Sequence, residues 1–235
     1  MQQAQSQIAA SPAAEPDYAV LRQTMVDRQI RTYDVHDPAV IARFLETPRE
    51  KFVLAGQEPL AYSDFEVRMP LAAGGARSLL APLVAARALQ ALEMTASDRA
   101  LVVGDGPGYL AALIAGIAES VVSLESDAAL SAQAGKIFAS LGVAAKAVCA
   151  PLAGGASAEG PFDVILIAGA AEDGIETLLG QLADGGRLLA FHPQAGAAGR
   201  AAVYRKIRSN ISASNVFEAQ ARLLPEFARK PGFRF

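Results

Sequence analysis

Apolar residues along this chain follow two regimes. From Tyr18 to Tyr33, Val20, Leu21, Met25 and Ile30 recur at roughly helical spacing among Arg, Asp and Gln, which predicts an amphipathic helix. Asp37 followed by Pro38 reads as an N-cap with proline in the first helical position, opening a second short helix through AVIARFLE. From Thr47 to Pro82 a Pro or Gly arrives every few residues and little period survives, so an irregular, surface-covering stretch is expected. Helical spacing returns at Pro82 in PLVAARALQALEM, with apolar residues suited to packing on a sheet.

From Arg99 onward short apolar runs alternate with helical stretches. ALVV (100–103), SVVSLE (120–125), AAKAVCA (144–150), FDVILIAG (162–169) and GRLLAF (186–191) are continuous rather than alternating, as strands buried on both faces are. Segments between them, such as DAALSAQAGKIFASLG ending at Gly142, read as crossover helices. The pattern predicts an α/β fold with a doubly wound, mostly parallel sheet, preceded by N-terminal helices. RAAVYRKI and the tail FEAQARLLPEFARKPGFRF are expected to close it as a hairpin with a long loop. The expected organisation is a flexible leader over 1–15, helices and an irregular loop over 16–98, and an α/β core over 99–235, all in one structural domain.

Composition narrows the function classes mainly by exclusion. Hydrophobic content of 52% with 19% charged residues describes a chain that folds. A net charge of −3 offers no electrostatic footprint for nucleic acid. The single cysteine, Cys149, leaves no intrachain disulfide, and with two histidines in all no Cys/His metal site is expected. The first seventeen residues lack a basic region and an apolar run, and no later run approaches a membrane span, so a cytoplasmic location with no membrane contact is expected.

The candidate chemistry lies in VVGDGPGY. A strand, a glycine turn and a helix beginning near Pro107 put backbone N–H groups at the carboxyl edge of the sheet, where α/β folds bind nucleotides. The spacing G-x-G-x-G, from Gly104 through Gly106 to Gly108, places Tyr109 where a dinucleotide fingerprint has its third glycine, and no Lys-Ser/Thr follows as in a P-loop. Asp105 adds a negative charge where a pyrophosphate would lie, whereas a cationic sulfonium tolerates it, so S-adenosylmethionine fits best. Glu125 ends the second strand 21 residues after Gly104, where a carboxylate accepts ribose hydroxyl hydrogens; Ser126 follows it. The plainer alternative is a tight turn beside a solvated strand end.

With MVDRQIR (25–31), DPAVIARFLETPREKFV (37–53), LAYSDF (60–65), the glycine turn, GPFDVILIAGAA (160–171) and LLGQLADGGRLLA (178–190), the chain resembles the protein-L-isoaspartate O-methyltransferase family from about Met25 to Arg205. The resemblance implies methyl transfer from S-adenosylmethionine to the α-carboxylate of an isoaspartyl residue in a damaged protein or peptide, leaving S-adenosylhomocysteine. It implies no catalytic histidine, so His36 and His192 read as ordinary loop and strand-end residues.

Three departures from the family pattern stand out. The family's substrate loop G-Q-T-I-S-Q-P aligns with Ala76, Arg77, Ser78, Leu79, Leu80, Ala81 and Pro82, so Leu80 replaces the serine. Ser78 is then the only nearby hydroxyl and the candidate catalytic group, expected to face the same side as Leu80, with Arg77 either a partner for the incoming anion or a solvated loop charge. The acid ending the first strand is Val102 here, with Asp105 its expected partial replacement. The acid that meets the adenine is replaced within Ala150, Pro151 and Leu152, leaving apolar and backbone contacts. Two function classes stay open: a divergent carboxyl methyltransferase of weakened isoaspartyl activity, and a non-catalytic relative binding a ligand or protein. The oligomeric state is not readable.

Overall fold

Buried strands stacked side by side build the centre of the molecule, which we describe from a computed structural model over residues 16–71 and 74–229. Five strands run parallel: β3 (Arg99–Val103), β4 (Ser120–Glu125), β5 (Ala145–Cys149), β6 (Phe162–Ala170) and β7 (Leu182–His192). With antiparallel β8 (Arg200–Ile207) and β9 (Asn210–Glu218) they form a seven-stranded sheet ordered β5-β4-β3-β6-β7-β8-β9. The continuous apolar runs have the expected cause. Along β3, Val102 enters one hydrophobic cluster while Leu101 and Val103 enter the other, so both faces of the strand are covered.

The first cluster joins the sheet to the N-terminal helices: α1 (Tyr18–Met25), α2 (Pro38–Glu46) and α3 (Pro82–Ala91). Asp37 caps α2 by accepting from the Ala39 and Val40 N–H groups, with Pro38 in the first turn. α1 runs on through a π-helical turn at Val26–Ile30. Two crossover helices, α4 (Tyr109–Ile114) and α5 (Ala128–Leu141), cover the β3-β4-β5 side, and a short α6 (Glu176–Gly180) precedes β7. α5 ends where Gly142 adopts a left-handed backbone at φ 66°.

Two expectations need correction. The stretch before Pro82 is not wholly irregular, because β1 (Val67–Pro70) and β2 (Ala76–Leu79) pair antiparallel as a small hairpin. The closing hairpin has a short connection, not a long one: β8 and β9 meet around Arg208 and Ser209, and the tail beyond Glu218 is irregular. That tail returns to the sheet by a bridge from Leu223 to Ala170 and a 3-10 turn at Pro225–Phe227. The leader over 1–15 and the final residues from 230 lie outside the described residues.

Candidate active site

β3 is flanked by β4 on one side and β6 on the other, so the chain reverses its winding there and opens a crevice at the carboxyl ends of the strands. The turn from Gly104 to Gly108 lies at that point. Gly108 has φ +93°, and a Cβ on it would overlap the Phe138 ring from α5, so both backbone conformation and packing require glycine. Asp105 is buried, and its carboxylate accepts from the Leu110 and Ala111 N–H groups at 3.0 and 2.8 Å. Burial pushes its carboxyl up to about 7, against the pull of those two N–H groups. Asp105 therefore serves the start of α4, both its oxygens turned to those N–H groups.

Glu125 ends β4 as expected and faces the turn: the Gly106 N–H donates to its Oε2 at 3.0 Å. Its other contacts were not foreseen. Arg77 of β2 reaches across, with Nε at 3.0 and 2.9 Å from the two carboxylate oxygens and Nη2 at 2.9 Å from Oε1. The Ser126 and Asp127 N–H groups also donate to Oε1, at 2.7 and 3.0 Å. Arg77 further donates to Glu226 at 2.6 Å and to the Ser126 hydroxyl at 2.8 Å, and that hydroxyl bonds Glu226 at 2.7 Å. Arg77 is 0% exposed and Glu125 1%, so the reading of Arg77 as a solvated loop charge is corrected: it is an interior cation. Burial opposes its charge, and the hydrogen bonds and charge of Glu125 and Glu226 outweigh that, raising its pKa. Glu226 is held below the usual carboxylate range because bonds from Arg77 and Ser126 outweigh its own burial.

Side chains of the chain itself also lie over the glycine backbone. A Cβ built on Gly104 would meet Leu224 at 3.0 Å and Leu152 at 3.2 Å, and one on Gly106 would meet Met69 at 3.2 Å. Leu152 is buried there, while Pro151 before it is exposed. Outside Arg77 a cavity of about 350 Å³ opens, lined by Leu71, Gly74, Arg77, Ser126, Pro225 and Glu226 among others.

The substrate-loop residues separate. Leu79 and Leu80 are buried in the first cluster. Ser78 is half-buried and accepts from Arg222 Nε at 3.2 Å, so it does not share the environment of Leu80. The reason is that β2 ends at Leu79, and the alternation of an extended strand stops with it. Arg49, wholly buried, holds the loop by donating to the Leu80 carbonyl at 2.7 Å and the Ala61 carbonyl at 2.6 Å, its guanidinium over the Tyr109 ring. His192 bonds the Ala171 carbonyl and Tyr204, and His36 the Asp34 carbonyl, ordinary strand-end and loop contacts. Among the described residues no group of three or more His, Cys, Asp or Glu side chains is arranged to hold a metal ion, and no helix is long and apolar enough to cross a membrane. Arg49, Arg222, Leu224 and Glu226 were not foreseen, and only the PREKFV motif around Arg49 carried a signal.

Comparison with known proteins agrees with this architecture. The model of the protein-L-isoaspartate(D-aspartate) O-methyltransferase family matches residues 21–219. A protein-L-isoaspartate O-methyltransferase of Koribacter versatilis is 36% identical over 181 residues, covering 75% of this chain and 80% of the relative. A second, from Shewanella sediminis, is 36% identical over 187 residues, covering 79% and 75%. A solved protein-L-isoaspartate O-methyltransferase superposes with a TM-score of 0.75 at 22% identity, covering 89% of this chain and 67% of that one. A Plasmodium falciparum structure, described as a complex of such a methyltransferase with S-adenosyl-L-homocysteine, gives 0.70 at 20% identity over 90% of this chain and 100% of its own. With the family model spanning most of its length and relatives above 30% identity on both sides of the glycine turn, the chain belongs to the protein-L-isoaspartate O-methyltransferase family.

Proposed function

We propose that this chain is an S-adenosylmethionine-dependent carboxyl methyltransferase acting on a protein or peptide that carries isoaspartate, with S-adenosylhomocysteine as product. The observation that carries this reading is the position of Glu125, a buried carboxylate at the end of β4 tied to the glycine turn by the Gly106 N–H. A glycine-rich turn next to a carboxylate is the donor and acceptor set that a ribose and an amino-acid moiety require. The frame fits the cofactor; the side chains now over it come from the β1–β2 hairpin, from Leu152 and from the tail. The bound cofactor supplies an electrophilic methyl group on a sulfonium.

Gly104, Gly106, Pro107 and Gly108 give the turn its shape, Glu125 and Ser126 hold the ribose, and Pro151 and Leu152 border the adenine through apolar and backbone contact. The acceptor carboxylate is already anionic at neutral pH, so the protein's task is alignment and exclusion of water, and no base is needed. Leu79 and Leu80 keep the loop dry from the core side. Ser78 and Arg222, on the exposed side of β2, orient the incoming carboxylate. A cytoplasmic location suits this acceptor and the single cysteine. The test is transfer of labelled methyl from S-adenosylmethionine to an isoaspartyl peptide and to its aspartyl counterpart: label in the first alone supports the reading, and label in neither contradicts it.

A further inference from the structure

Glu125 has no lone pair to spare. Its two oxygens accept from three backbone N–H groups and from Arg77, so a ribose diol and the Arg77 guanidinium compete for the same carboxylate. Arg77 stands where the family's substrate loop has glutamine, a neutral side chain that makes no ion pair with Glu125. A second carboxylate fixes the guanidinium from behind: Glu226, carried by the tail's 3-10 turn, bonds it at 2.6 Å and shares the Ser126 hydroxyl with it. The tail is itself anchored, since the Leu224 N–H donates to the Ala170 carbonyl at 3.0 Å and the Ala170 N–H to the Arg222 carbonyl at 2.7 Å. The cavity outside Arg77 and Glu226 gives both side chains room to swing outward.

The geometry points to an autoinhibitory latch: Arg77, caught between Glu125 and Glu226, occupies the ribose position and must leave before the cofactor enters. This rests on the methyltransferase reading above and adds to it a closed state that lowers apparent affinity by the fraction of molecules that are open. Glu226 is the catch, and its removal strands no buried charge, because Arg77 keeps its pair with Glu125. Weakening the catch raises the open fraction, so association accelerates while dissociation from the open, occupied state is unchanged.

The experiment is stopped-flow and calorimetric titration of S-adenosylhomocysteine into the full chain, Glu226→Gln, Arg77→Gln and the distant surface control Arg205→Gln, each checked for folding by circular dichroism. The latch predicts binding at least about tenfold tighter in Glu226→Gln and Arg77→Gln, all of it in the association rate, with Arg205→Gln like the natural chain. Should Arg77→Gln fail to fold, Glu226→Gln decides alone. Equal affinity in the natural chain and Glu226→Gln, or a change confined to dissociation, overturns the latch and leaves the methyltransferase reading standing. No binding by any variant at about 1 mM ligand overturns both, because a gate with nothing to admit is not a gate.

Discussion

Arg77 and Glu125, 48 residues apart in sequence, form a wholly buried bidentate pair at 2.9–3.0 Å across the mouth of the candidate active site. A buried pair gains little over a well-packed apolar one, but removing one member leaves the other charged and dry, at a cost of about 3–5 kcal/mol. Arg77→Met is expected to destabilise toward the lower end, because Glu125 keeps its three backbone donors. Glu125→Gln is expected to cost a similar amount, because Glu226 still serves Arg77. The double variant is expected to recover at least about 1 kcal/mol relative to the sum, and urea denaturation of all four proteins measures it.

Asp105 gives the fold a pH dependence of definite sign. Its carboxyl is at 3.8 when unfolded and is pushed up to about 7 by burial, so the folded chain binds the extra proton between those values. The contribution of this group to stability is therefore fully present at and below about pH 4 and is lost as the pH rises to about 7, up to roughly 4 kcal/mol in all. Asp105→Asn is expected to flatten that slope. It also lowers stability at every pH, because one carboxamide oxygen cannot serve both the Leu110 and Ala111 N–H groups. Urea midpoints taken across that interval for both proteins give the difference in slope.

Arg49 ties the loop after β2 to the core by a fork that lysine cannot copy. Its Nε and Nη2 bind carbonyls of Ala61 and Leu80 that lie on different segments, and its Cζ lies over the Tyr109 ring, 4.7 Å from the centroid. Arg49→Lys loses at least one of those bonds and is expected to cost about 1–3 kcal/mol, with faster amide exchange around Leu80 and Ala81. Thermal melting and hydrogen exchange by mass spectrometry report the two effects.

How much of this was legible in the sequence depended on the range of the interactions. The core strands announced themselves because β3 and β6 are covered on both faces and can only be apolar. Glu125 was legible because a strand, a turn and a fixed spacing place it. β9 was not, since NISASNVFE is polar and exposed along almost its whole length and gains its structure from pairing with β8. β1 and β2 are four residues each, with a proline ending the first and glycines before the second, too short for a period. Arg77 looked like a surface charge because one of its partners is 48 residues away and the other 149, and no local pattern encodes either.

The central claim is that a family methyltransferase is held shut by its own Arg77 and Glu226, and steady-state methyl transfer tests it most directly. Labelled methyl from S-adenosylmethionine is followed into an isoaspartyl peptide, over a range of cofactor concentrations, for the natural chain and Glu226→Gln. The account predicts transfer by both, absent with the aspartyl peptide, and a KM for the cofactor at least about tenfold lower in Glu226→Gln with little change in kcat. An unchanged KM in Glu226→Gln, or no transfer to the isoaspartyl peptide by either protein at saturating cofactor, would contradict it.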